Sequence, residues 1–515
     1  MKFKRRMLVS QGSLDRLLQT ANEAWSRNKF AEGIETMERA SRLAPANGII
    51  LLDLGRMHGL RHDYAAAERC FERALRITGQ KTEVLAAAGQ QCHKFGSFTL
   101  AETYLKRAAE RPDVAPAVLV LLAEIYERQR RSAAATSLVD RVLQADAASA
   151  PALLLRARLD RQAGKLEPAE RLLRAFSASA EPALSASAKY ELGNILDRQG
   201  RYDEAMAAFL EAKRLQQLPA VRPAAELKIM RARLRHLTTN ATADVLQKWS
   251  ASSEQLAPPH RLALLGGHPR SGTTLLEQVL DAHPEMISAE ETEIFYNDAY
   301  GPLLRGQPDD TGMFDGLVTA TPEQLRQSRS NYFRAMELSL GQPIAGRLLI
   351  DKNPSYTFLI PAFIRIVPEI KLLIALRDPR DVVLSCFMQN LPLNQVGAAC
   401  LSLASTAEEY AALMGSWQTL KPQMCNPSLE VRYEDMVENL ESVARKSLDF
   451  LGVAWDVKVL GFDEHARQKL VRSPTYADVT QPVYKRAVGR WHHYQKYLEP
   501  HLAKLEPFVK AFGYE

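Results

Sequence analysis

Along the first part of the chain, apolar and polar positions alternate in a helical rhythm, and an aromatic residue returns at Phe30, Tyr64 and Phe98, 34 residues apart each time. Around each of these anchors the same positions stay small. Three residues on stand Gly33, Ala67 and Ala101, ten residues on stand Ala40, Ala74 and Ala108, and nine residues before stand Ala21, Gly55 and Gly89. Small residues at fixed places on two successive helices are what a close crossing needs, so the pattern predicts helix hairpins stacked in series. The frame continues through Ser132 with Ala135 and Leu166 with Ala169, slips by two residues, and returns at Tyr202 with Ala205, Ala212 and the upstream Gly193.

This period is that of tetratricopeptide repeats, and about six hairpins fit within residues 1–218. A generic alanine-rich bundle would share the composition but not the repeated frame. Each hairpin can bury its apolar face only against its neighbours, which predicts an all-α superhelix with a concave groove. Such a groove suits a peptide or protein segment as partner, and it could equally serve as a packing surface in a homodimer. After Gln217 the period is lost. LKIMRARLRHL reads as one or two capping helices, and SASSEQLAPPH is a polar, proline-bearing linker, so residues 219–257 separate the repeats from a second domain at 258–515.

The second domain opens with a different pattern. LALL from Leu262 is a short apolar run suited to a buried parallel strand, Gly266-Gly267 ends it, and Leu275, Leu276, Val279 and Leu280 then recur at helical spacing. The loop between, His268-Pro269-Arg270-Ser271-Gly272-Thr273-Thr274, lies where turned-in amides and a helix N-terminus hold a phosphate. Thr273 occupies the place where a nucleotide-hydrolysing P-loop needs lysine, and Arg270 supplies the positive charge instead. KLLIAL predicts another strand, followed by Arg377-Asp378-Pro379-Arg380-Asp381 and a helix carrying Ser385, so Arg377 and Ser385 can meet at one end of the sheet. Lys352, after Leu348-Leu349, falls at a third strand end facing the crevice where open α/β sheets bind ligands.

The stretch GGHPRSGTTLLEQVLDAHPEMISAEETEIF resembles the phosphosulfate-binding segment of sulfotransferases, most of all the tyrosylprotein branch and its relatives with tetratricopeptide repeats. The resemblance implies an α/β three-layer domain with a parallel sheet and a P-loop-like phosphate site, using 3′-phosphoadenosine 5′-phosphosulfate as co-substrate and no metal. It assigns Arg270 and Lys352 to the leaving 5′-phosphate, with Ser271, Gly272, Thr273 and Thr274 as loop donors, and Arg377 with Ser385 to the 3′-phosphate. Glu291 is the implied base. Tyr433 lies near the adenine, and Thr475 and Arg490 belong to a segment that closes over the nucleotide. Gln389 stands where some members carry arginine, and Thr475 and Arg490 where serine and lysine are common. The implied reaction is sulfuryl transfer to a hydroxyl, either a peptide or protein tyrosine or the hydroxyl of a small molecule, lipid or sugar.

Composition narrows the alternatives. A net charge of +6 with the bases interleaved among acids argues against a nucleic-acid partner. No apolar run is long enough for a membrane span. Five scattered cysteines without metal-ligand spacing, and only Met7-Leu8-Val9 after the basic start, fit a cytoplasmic chain. A kinase or nucleotidase is disfavoured by Thr273. An inactive scaffold working through its repeats is disfavoured by the intact set Arg270, Glu291, Lys352, Arg377 and Ser385.

Overall fold

The computed structural model describes residues 2–175, 181–217, 219–252, 256, 259–468, 479–480 and 483–515. Helices α1 (Lys2–Ser26), α2 (Phe30–Leu43), α3 (Gly48–Leu60), α4 (Tyr64–Ile77), α5 (Thr82–Lys94), α6 (Phe98–Ala109), α7 (Pro116–Arg128), α8 (Ser132–Ala145), α9 (Ala150–Gln162), α10 (Leu166–Ala175), α11 (Pro182–Arg198) and α12 (Tyr202–Gln216) form successive antiparallel pairs. Each aromatic anchor is the first residue of a second helix. The small positions are the crossing points: a Cβ on Gly55 would lie 2.4 Å from the Phe71 ring, one on Gly89 2.6 Å from Leu105, and one on Gly193 2.7 Å from Phe209. Phe71, Leu105 and Phe209 are fully buried knobs seven residues after their anchors, each worth about 1.5–3 kcal/mol of apolar burial. A polar clamp recurs between hairpins as well. Glu102 accepts from Gln129 and Arg131, and Glu170 accepts from Gln199 and Arg201.

The chain divides into two compact units, residues 1–152 with 334–343, and residues 153–333 with 344–515. The cut falls within α9. The last hairpin lies within the second unit and bonds the α/β domain there: Lys213 donates to the Gln389 carbonyl at 3.4 Å and Tyr494 Oη to Asp197 at 2.6 Å. Helices α13 (Val221–Asn240) and α14 (Ala243–Ala251), expected as caps of the array, are also tied to the α/β domain, through Arg231 on Glu409 and Arg365 above the Trp249 ring.

In the α/β domain the order is β1 (Leu262–Gly267), α15 (Thr273–Asp281), β2 (Met286–Glu290), α16 (Gly312–Thr319), α17 (Pro322–Leu340), β3 (Leu348–Lys352), α18 (Ile360–Ile366), β4 (Lys371–Leu376), α19 (Pro379–Phe387), α20 (Gln395–Ala399), α21 (Leu403–Leu420), β5 (Ser428–Arg432), α22 (Tyr433–Glu438) and α23 (Leu440–Leu451). The five strands pair in parallel in the order β2-β3-β1-β4-β5. On one face Leu275, Leu276, Val279 and Leu280 of α15 pack with Ala263, Leu265, Ile350 and Leu373 of the sheet and with Leu448 of α23. On the other, Phe295 stacks on Phe363 of α18. The chain leaves β1 toward one edge and later passes to β4 on the other side, so the loops after β1 and β4 flank the switch point where such sheets bind ligands. Among the described residues no helix is long and apolar enough to cross a membrane.

Candidate active site

Gly267 ends β1 with φ +118°, and a Cβ there would sit 2.3 Å from the carbonyl oxygen of Ala375 on β4. Only glycine lets the chain turn off the strand against that backbone. Thr357 braces the turn, its hydroxyl accepting from the Gly267 amide at 2.7 Å and donating to the Gly267 carbonyl at 2.9 Å. The loop then passes through two further left-handed residues, Arg270 at φ +74° and Gly272 at φ +91°, and Gly272 caps α15. A non-glycine residue in that conformation is costly and needs support from its surroundings. Arg270 has it: Nε donates to Ser385 Oγ at 3.1 Å, and its carbonyl accepts from Arg377 Nη1 at 3.2 Å. Together with Ser271, Thr273 and Thr274, which are buried in the loop and first turn, this end of the sheet offers amides, hydroxyls and a helix N-terminus to an anion.

Arg377 follows β4 and is nearly buried, 3.7 Å from Asp381 on α19 and 5.0 Å from the Tyr433 ring centroid. The same ring closes against Gly272, where a Cβ would lie 2.7 Å from it. The structure therefore gathers Arg270, Gly272, Arg377, Ser385 and Tyr433 into one cluster.

Glu291 and Lys352 form a second cluster at the ends of β2 and β3. Glu291 has φ +47°, its amide donates to the Lys352 carbonyl at 2.7 Å, and its half-exposed carboxylate accepts from Lys352 Nζ, also at 2.7 Å. Nζ itself is fully buried, with Glu277 and Glu290 each 3.5 Å away. Burial alone would lower this lysine, but the carboxylates of Glu277, Glu290 and Glu291 outweigh it and hold Lys352 above the usual ammonium range. Its partners here are thus the three carboxylates. Asp351 is buried too; burial pushes its carboxyl up to about 7, against the lowering effect of the hydrogen bond it accepts from Tyr332.

Arg490 pairs with Asp197 of α11 at 2.8 Å, and the amides on either side of it, of Gly489 and Trp491, donate to Asp381. Thr475 lies outside the described residues. His268 is fully enclosed, with Nδ1 on the Pro269 carbonyl at 2.8 Å, and burial pushes it down to about 4, so its ring is neutral at pH 7 and serves the loop. His283 bridges the Ala454 carbonyl and the Glu285 amide, as a helix-ending residue. Gln389 contributes its carbonyl to Lys213. Sequence reasoning missed Thr357, Glu277 and Asp381. Glu277 sits four residues after Thr273, a spacing that keeps both on one helix face, and Asp381 four residues after Arg377; Thr357 carries no local signal.

Residues 263–457 match the model of the sulfotransferase family, and residues 18–81, 94–150 and 154–219 match that of the tetratricopeptide repeat. A protein of Aquifex aeolicus described as uncharacterized is 24% identical over 63% of this chain and 42% of its own length, so the chain spans less than half of that relative. Protein-tyrosine sulfotransferase 2 of Gallus gallus is 26% identical over 49% of this chain and 69% of its own. The sulfotransferase domain of the Synechococcus PCC 7002 olefin synthase aligns with 22% identity and a TM-score of 0.35, covering 49% of this chain and 95% of that domain. The matches set tetratricopeptide repeats, up to residue 219, before a segment, 263–457, that is similar to the sulfotransferase family.

Proposed function

We propose that the protein transfers the sulfuryl group of 3′-phosphoadenosine 5′-phosphosulfate to a hydroxyl, with a peptide or protein tyrosine as the acceptor. The observation that carries this reading is the lysine-free phosphate loop: Arg270, held in a left-handed turn, is linked directly to both Ser385 and Arg377. Two guanidinium groups and a helix N-terminus at one crevice suit a nucleotide with phosphate at two positions. The Glu291 carboxylate, held by Lys352, takes the proton of the acceptor hydroxyl while that oxygen forms a bond to sulfur. The bond from sulfur to the 5′-phosphate oxygen breaks, and adenosine 3′,5′-bisphosphate leaves with the electron pair, its charge met by Arg270 and the loop amides. The tyrosine acceptor is supported by the protein-tyrosine sulfotransferases among the relatives. We propose the cytoplasm as the protein's compartment, from the five scattered cysteines of the sequence.

Titration with adenosine 3′,5′-bisphosphate tests the nucleotide, and labelled sulfate transfer in a fractionated extract tests the acceptor. Binding followed by label on tyrosyl peptides is expected. Label confined to lipid, sugar or metabolite fractions would leave the sulfotransferase and remove the tyrosine. Failure to bind the bisphosphate would remove the proposal.

A further inference from the structure

The last repeat hairpin grips α19, the helix that carries Ser385, from both ends. At its C-terminal end, the buried Lys213 of α12 donates to the Gln389 carbonyl at 3.4 Å and lies 5.1 Å from the Phe387 ring centroid. Gln216 and Ser187 both bond Asn390, at 3.3 and 3.0 Å. The grip on the N-terminal half is indirect and continuous. Asp197 of α11 accepts from Tyr494 Oη at 2.6 Å and pairs with Arg490 at 2.8 Å. The Gly489 and Trp491 amides, which flank Arg490, both donate to Asp381 at 2.8 Å. Asp381 faces Arg377 at 3.7 Å, and Arg377 reaches the Arg270 carbonyl. Tyr202 stacks on His493, with centroids 4.2 Å apart, and Asp203 takes Lys496 and Tyr497.

We infer that the hairpin α11–α12 is a working part of the nucleotide site, with Asp197 as a positioning residue that sets Arg377 through Arg490, Tyr494 and Asp381. The inference rests on the nucleotide reading above. A hairpin that merely tethered the repeats could dock anywhere on the domain. This one sets a buried lysine against the C-terminal end of α19, and a partly buried aspartate on Arg490 and Tyr494, beside the two amides that hold Asp381. Arg490, which sequence likeness assigned to the nucleotide, then acts through Asp197. A ligand or partner that distorts this hairpin would change nucleotide affinity with no contact at the crevice.

The test uses the full-length protein and adenosine 3′,5′-bisphosphate as probe. Asp197→Asn should bind it roughly 5- to 20-fold more weakly, raise KM for the phosphosulfate donor by a similar factor, and leave acceptor KM unchanged, since one charged hydrogen-bonded link is lost. Asp197→Glu should recover part of the loss. Arg490→Ala combined with Asp197→Asn should be no worse than the more damaging single change, because both lie on one path. Where Asp197→Asn fails to fold, Tyr494→Phe removes one of the bonds to Asp197 while keeping the ring, and a smaller loss of the same kind is expected. Wild-type protein that does not bind the probe would overturn the nucleotide reading and this inference with it. Wild-type binding with unaltered affinity in folded Asp197→Asn, or equal losses in donor and acceptor KM, would overturn the inference alone.

Discussion

Gly55 in the second hairpin and Gly267 at the end of β1 both lie where a methyl group would meet atoms closer than 2.5 Å, yet the atoms differ in kind. At Gly55 the obstacle is the far edge of the Phe71 ring, a side chain that can give a little. At Gly267 it is the backbone of β4, and the chain also holds φ +118°, which an L residue rarely adopts. In the repeats, glycine makes room for a neighbour. In the phosphate loop it provides a path for the chain. Repeat positions therefore tolerate graded change measured as stability, whereas loop positions decide whether the anion site exists.

The largest effect that would sharpen this contrast is at Glu291. Glu291→Gln keeps the shape and the Lys352 contact but cannot take a proton, so kcat should fall about 10²- to 10⁴-fold with nucleotide affinity and melting temperature nearly unchanged. Full activity in the variant would return the base to an open question, with Glu290 the next carboxylate to test. Arg377→Ala removes a charge-assisted phosphate contact, and adenosine 3′,5′-bisphosphate should bind about 10- to 100-fold more weakly in a titration. A variant that lost stability but not affinity would show that Arg377 belongs with the packing side of the comparison.

The pair Gly55→Ala and Gly267→Ala tests the contrast itself. The first should cost about 1–3 kcal/mol in denaturant unfolding through overpacking against Phe71 and leave activity intact at low temperature. The second should abolish nucleotide binding, because neither the carbonyl of Ala375 nor the backbone angle can yield. Equal behaviour of the two in both assays would dissolve the distinction.

The same difference explains what was legible in the sequence. The hairpins could be read because each requirement is stated several times: small residues nine before and ten after every anchor, at the places where helices cross. The phosphate loop could be read because its chemistry fixes identities, Arg270 and Thr273 above all, and the strand runs LALL and KLLIAL became β1 and β4. Neither logic reaches partners that only the fold brings together. Asp381 holds the amides of Gly489 and Trp491 across more than a hundred residues, and Asp197 takes Arg490 across nearly three hundred. Lys352 was legible as a lysine at a strand end, but its enclosure by Glu277, Glu290 and Glu291 depends on how α15, β2 and β3 meet. The ties of the last hairpin to the α/β domain were not legible for the same reason, since Lys213 and Asp197 look like ordinary repeat surface in the sequence.

The smallest expected effect is on the polar clamp that recurs between hairpins, and it bears on whether the repeats carry any position as exacting as the loop. At Glu170, burial pushes the carboxyl up, but hydrogen bonds from Arg174, Gln199 and Arg201 outweigh it and hold it down at about 2. A carboxylate depressed in the folded state adds stability that is present above the unfolded value and is lost as pH falls through the folded one. Its contribution should therefore be constant at pH 6–8 and vanish between roughly pH 4.5 and 2. Because the arginines are partly exposed and screened, Glu170→Gln should cost under about 1 kcal/mol at neutral pH, less in high salt, and a shrinking fraction of that as pH falls toward 2. Urea titrations of the two proteins at pH 7 and pH 3, each with and without salt, measure this directly. A loss above about 2 kcal/mol that ignored salt would make Glu170 a buried, exacting ion-pair position, and the repeats would then share the intolerance reserved above for the phosphate loop.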